Sequence, residues 1–152
     1  MEQITLTEFA EKLSEIMPAI MKEFARRQMN ELYKGKITLP QFFILEFLHR
    51  EGELKMTDLA HFMSVTTAAI TGIVVRLVRD GYVVRAFDAK DRRIIRVQLT
   101  TKGNDLVGKI NEQRRQMLFK IFGRITERDR RDYLRILMQI REILTKDTPV
   151  AQ

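Results

Sequence analysis

Apolar positions along this chain recur mostly at helical spacing, interrupted once by a short stretch that alternates like a strand. Phe9, Leu13, Ile16, Ile20 and Phe24 follow one another every three or four residues, which places them on one face of a long helix. Thr5 and Glu8 precede them at capping-box spacing, and Pro18 inside the pattern predicts a kink. After the turn YKGKITLPQ the same spacing returns at Thr38 and Gln41, with Pro40 in the first turn and Phe42, Phe43, Leu45 and Leu48 behind it. Gly52 closes that helix. Thr57 opens a short one through TDLAHFM, and Ser64 and Val65 make a turn.

Thr66 caps the next predicted helix, whose Ile70, Ile73, Val74 and Leu77 fall on one side. At 100° per residue the opposite side comprises Ala68, Gly72, Val75 and Arg79, flanked by Thr71 and Arg76, with Thr67 near the entry. Gly81 stops the helix. YVVR then reads as a strand, the loop FDAKDRR is rich in charge, and Ile95, Val97 and Leu99 alternate with Arg96 and Gln98 as a half-buried strand should. Two short helices, a glycine turn and two strands around a basic loop outline a winged helix-turn-helix, which presents one helix to a major groove and a loop to the backbone or minor groove beside it. Beyond Thr100, Leu106, Ile110, Met117, Ile121 and Phe122 predict a helix ending near Gly123. Thr126 and Asp129 cap a last one lined by Tyr133, Leu134, Leu137, Met138, Ile140 and Leu144.

The expected fold is therefore mainly α with a small two- or three-stranded antiparallel β-wing, a single domain over 1–152 with the winged helix-turn-helix at 38–103. The terminal helices, 1–35 and 104–146, carry more apolar residues than a small winged unit covers, so pairing with a second copy is the simplest way to bury them.

Charge sharpens the picture. The 152 residues carry a net charge of +7. Residues 1–64 hold eight basic and ten acidic side chains, whereas 65–102 hold eight against three, so the excess gathers on the reading head and on the helices after it. There is no cysteine, which removes disulfides, thiol chemistry and thiolate metal sites together. His49 and His61 have no partner at metal-ligand spacing, and no glycine-rich phosphate loop is present. Neither catalytic residues, a metal nor a cofactor is expected. The start MEQITLTEFAEK lacks the pattern of a secretory signal, and no apolar run reaches membrane-spanning length, so a cytoplasmic protein with no membrane partner is expected.

The stretch LPQFFILEFLHREGELKMTDLAHFMSVTTAAITGIVVRLVRDGYVVR and the wing DAKDRRIIRVQLTTKG together resemble the multiple antibiotic resistance regulator (MarR) family. The most specific part is the order RLVRDGYVVR, D-x-x-D-R-R, V-x-L-T-x-x-G, from Arg76 to Gly103. The resemblance implies a triangular homodimer with interlocking terminal helices, each subunit placing its winged unit on a pseudo-palindromic operator in double-stranded DNA. It also implies release by a small effector, often aromatic or anionic, held between the dimerisation helices and the reading head. A transcriptional repressor is the expected function; the alternative is a winged-helix architectural or protein-interaction module without operator specificity.

The family's wing motif falls on Asp88, Asp91 and Arg93, with Arg93 resembling its minor-groove arginine and Asp91 its orienting partner; the pair otherwise only staples the turn. Lys90 and Arg92 are expected at phosphates. On the helix, Thr66, Thr67, Ala68 and Thr71 are expected at thymine methyls and phosphates. Gly72 is expected close to the duplex, and Arg76 and Arg79 supply polar contacts. Arg76 otherwise pairs with Asp80 four residues on. Met21, Phe24, Phe42 and Phe43 line an effector cavity or simply fill the core.

Overall fold

The computed structural model describes residues 4–31, 34 and 36–146. These divide into two compact units, Met1–Gln113 and Arg114–Gln152.

In the first unit α1 spans Leu6–Glu31 and is continuous across Pro18. Its start is fixed as the spacing predicts: the Glu8 carboxylate accepts from the Thr5 amide at 2.9 Å, and the Thr5 hydroxyl accepts from the Glu8 amide at 3.2 Å. The helix α2, Leu39–Glu51, opens on the same reciprocal cap between Thr38 and Gln41, with Pro40 in the first turn. It ends at Gly52, whose φ of 86° suits glycine and whose amide donates to the Leu48 carbonyl at 2.8 Å.

A two-residue strand, β1 (Leu54–Lys55), leads directly into α3, Met56–Met63. The helix starts one residue before the expected Thr57, because the Asp58 carboxylate accepts from the Lys55 amide at 3.2 Å and so serves the first turn. Ser64 takes a left-handed conformation, φ 52°, to end it. The helix α4, Thr67–Arg79, is capped by the Thr66 hydroxyl, which accepts from the Ala69 amide at 3.2 Å. It closes with the Gly81 amide donating to the Val78 carbonyl and the Tyr82 amide to that of Leu77, a turn that needs the φ of 79° found at Gly81.

The strands β2 (Val83–Phe87) and β3 (Ile95–Leu99) are antiparallel, with Val83 opposite Leu99 and Phe87 opposite Ile95. The sheet order is β1-β3-β2, so the wing has three strands, Leu54 of β1 facing Val97. One side of this sheet packs on the helices. Phe42, Ile44, Leu45 and Leu48 of α2, Leu59 of α3, Ile70, Val74 and Leu77 of α4 and Val83 and Val97 of the sheet are all buried. Leu106, Val107 and Ile110 join the same core from α5, Thr101–Phe122. Each large apolar side chain so removed from water stabilises the fold by about 1.5–3 kcal/mol before ordering costs are counted.

The second unit holds the rest of α5 and α6, Glu127–Lys146. The Thr126 hydroxyl caps α6 by accepting from the Asp129 amide at 3.1 Å. Arg130 closes the corner, donating to the carbonyls of Phe122 at 3.0 Å and Ile125 at 2.7 Å, while the rings of Phe122 and Tyr133 stack at 5.6 Å. No residue of α6 is buried within the single chain.

Candidate nucleic-acid interface

Burial divides α4 as its periodicity demands: Ile70, Val74 and Leu77 are fully buried, and Thr66, Thr67, Ala68, Val75, Arg76 and Arg79 are exposed. Thr71 and Gly72 are partly exposed between them. A Cβ placed on Gly72 would meet nothing within 4 Å, so packing inside the chain does not call for glycine there.

The polar groups on this face are already partly committed. The Thr66 hydroxyl accepts the helix cap, leaving its proton available to an acceptor outside. The Thr71 hydroxyl donates to the Thr67 carbonyl at 2.7 Å, so toward a ligand it offers its methyl and a lone pair. Arg76 Nε donates to the Gly72 carbonyl at 3.2 Å. It does not take Asp80, as spacing four residues apart allows; Asp80 is held instead by its neighbour Arg79, Nε to Oδ1 at 3.0 Å. Arg79 is exposed enough to exchange that contact for another anion at little cost.

The wing loop is built around two carboxylates. Asp88 accepts from the backbone amides of Lys90 at 2.8 Å and Asp91 at 3.1 Å, and from Arg96 Nε. These donors, the Lys90 amide foremost, pull its carboxyl down from 3.8 to about 2. Asp91 accepts from Arg93 three times: from its amide at 3.0 Å, from Nε at 3.1 Å and from Nη2 at 3.3 Å. The guanidinium is thus held as a two-pronged fork, and the same contact lowers the Asp91 pKa. The Arg93 side chain nevertheless remains 92% exposed. Lys90 and Arg92 are exposed on the same loop.

Two wing residues are not evident from local sequence. Arg96, expected only as an outward residue of its strand, reaches Asp88 and also Glu53, at 3.2 Å, and so ties the loop to the residue before β1. Recognising it requires knowing the hairpin register. Phe87, the last residue of β2 before the loop, is 69% exposed and lines, with Val78, Arg85, Ala86 and Ile95, a groove of about 330 Å³ between the end of α4 and the wing.

The four residues considered for an effector cavity are placed unequally. Phe42 is in the buried core, and Phe43, its ring 6.3 Å away, is 40% exposed. Met21 is 63% exposed on α1, and Phe24 is partly buried there. His49 has a structural partner, its Nδ1 lying 2.6 Å from Asn104 Oδ1 and linking α2 to α5. Among the described residues no single helix is long and apolar enough to cross a membrane.

Comparison with known proteins bears on the family and the fold. The sequence model of the MarR family matches residues 37–95. Over 102 residues the chain is 30% identical to the uncharacterised HTH-type transcriptional regulator YpoP of Bacillus subtilis strain 168, covering 67% of this chain and 72% of that protein. It is 26% identical over 113 residues to the HTH-type transcriptional repressor MdtR of the same organism, covering 74% and 73%. In fold it is similar to FabT of Streptococcus pneumoniae, solved in complex with DNA, with a TM-score of 0.81 at 18% identity over 91% of this chain and 99% of that one. With the wing motif, the α4 face and these relatives in agreement, the chain belongs to the MarR family, which comprises DNA-binding transcriptional regulators and not enzymes.

Proposed function

We propose that this protein is a homodimeric, cytoplasmic repressor that binds a pseudo-palindromic operator, with residues 38–103 as the reading unit and the helices within 1–35 and 104–146 as the dimer interface. The observation that carries this reading is the Arg93 fork, posed by Asp91 yet almost wholly exposed at the tip of a wing beside an uncovered helix face. A cation so arranged suits a narrow minor groove, where negative potential is concentrated. Lys90 and Arg92 flank it as phosphate contacts. On α4, Thr66, Thr67, Ala68 and Thr71 offer methyl groups and hydroxyls of the size thymine methyls and phosphates accept, and Arg76 and Arg79 supply cationic ends. Asp88 acts indirectly, folding the loop through its amide contacts.

Repression is supported by the relative MdtR, named a transcriptional repressor, and duplex DNA as the partner by the fold shared with DNA-bound FabT. Release by a small effector rests on the family likeness, with the partly exposed Phe24 and Phe43 and the exposed Met21 as its candidate contacts. Two copies reading one face of a duplex place their helices about 34 Å apart.

Selection of duplexes from a random pool tests the reading. An inverted repeat should be enriched, with affinity falling steeply as salt rises because phosphate contacts release counterions. The apolar residues Ala68, Gly72 and Val75 on the exposed face also suit an architectural protein; enrichment of no sequence, or of a bendable shape alone, would favour that second reading.

A further inference from the structure

The chain leaves α4 through Asp80, Gly81 and Tyr82, whose amides close the last turn of the helix and whose carbonyls are all taken by one segment farther along. Three successive carbonyls, those of Asp80, Gly81 and Tyr82, are gripped by the segment Thr100–Gly103. Lys102 Nζ donates to Asp80 at 2.7 Å, the Thr100 hydroxyl to Gly81 at 2.7 Å and the Thr100 amide to Tyr82 at 3.0 Å. The Lys102 ammonium also lies 4.7 Å from the centroid of the Tyr82 ring. Gly103 permits the close approach, since a Cβ there would overlap the Tyr82 carbonyl oxygen.

The same segment begins α5. The Thr100 hydroxyl that donates to Gly81 accepts from the Gly103 amide at 3.1 Å, and the Thr100 carbonyl accepts from Asn104 at 2.9 Å. One side chain therefore both caps α5 and holds the carbonyl of Gly81, two residues past the end of α4.

We infer that Thr100 and Lys102 are positioning residues for DNA recognition, forming a latch that fixes the pose of the α4 reading face relative to α5. The inference rests on the proposed DNA-reading role of α4. Contacts to base edges depend on a pose held by supporting hydrogen bonds, whereas non-specific phosphate attraction tolerates a looser one. Lys102 thus acts on sequence discrimination through the protein backbone, not through a phosphate.

The test uses the duplex selected by the unaltered protein, with a random-sequence duplex as reference. Lys102→Met keeps the aliphatic stem and removes the ammonium; Thr100→Val keeps the shape and removes the hydroxyl. Each should weaken binding to the selected duplex about tenfold, comparable to the loss of one base contact. Affinity for the random duplex and the dependence on salt should stay unchanged. Thr100→Ser should restore binding. If Thr100→Val does not fold, exposed Lys102 decides the matter by itself. Equal losses on both duplexes with a shallower salt dependence would make Lys102 a phosphate contact and overturn the latch, as would unchanged selectivity in Lys102→Met. Gly72→Leu on the α4 face, measured alongside, separates the two readings. If it loses specific binding while the latch variants do not, the latch alone fails; if it too binds as before, the reading role of α4 fails with it.

Discussion

Glycine inside a helix costs about 1 kcal/mol relative to alanine, yet Gly72 stands in the middle of α4 where an added methyl would touch nothing. Gly72→Ala should therefore raise stability by about 1 kcal/mol in chemical denaturation. Gly72→Leu should leave the protein folded and abolish specific binding, because the larger side chain occupies the space proposed for the duplex. Unchanged operator affinity in the leucine variant would refute that placement. Gly103 should behave in the opposite way, since its missing side chain makes room for the Tyr82 carbonyl. Gly103→Ala should cost about 1–3 kcal/mol or more, visible as a lower denaturation midpoint with an unchanged slope. Asp88 gives a titration. Its carboxyl is lowered in the folded wing, so the stability it contributes is fully present above 3.8 and is lost as pH falls through about 2. Carbon-detected NMR should place its midpoint near the lower value, and a midpoint at 3.8 would show the loop contacts to be absent in solution.

At the level of elements, the helix starts were legible because a cap is a local device. Thr5 with Glu8, Thr38 with Gln41 and Thr126 with Asp129 each make their contacts within three residues. The start of α3 was displaced because the acid at Asp58 reaches back to Lys55, outweighing the threonine beside it. Strand β1 left no pattern at all: two residues carry no alternation, and its pairing with β3 joins positions more than forty residues apart. The tethering role of Arg96 has no local signature for the same reason, since its partners Asp88 and Glu53 become neighbours only when the sheet is assembled. Arg96→Met should loosen the wing without unfolding the core. Amide exchange should quicken across residues 88–94 while the buried α4 amides stay protected, and equal protection in both regions would argue against its tethering role.

Taken as a whole molecule, the chain leaves much apolar surface uncovered. Along α6 Leu134, Leu137, Ile140 and Leu144 are between 42% and 64% exposed, and along α1 Phe9, Leu13, Ile16 and Ile20 are exposed as well. The periodicity that revealed these helices also revealed the surplus, but the partner that covers it is not written in one chain's spacing. If a second copy does so, Ile140→Glu should shift the protein from dimer to monomer in sedimentation at micromolar concentration, with little change in the winged unit's circular dichroism in the near ultraviolet. An unaltered dimer would place the interface elsewhere. If pairing is what covers these flanks, an unpaired chain would leave them open to proteases and chaperones and be removed faster than the pair. Doubling the supply of message would then more than double the number of finished pairs, and occupancy of the proposed operator would respond to gene dosage with a threshold, set by how quickly each newborn copy finds a sibling.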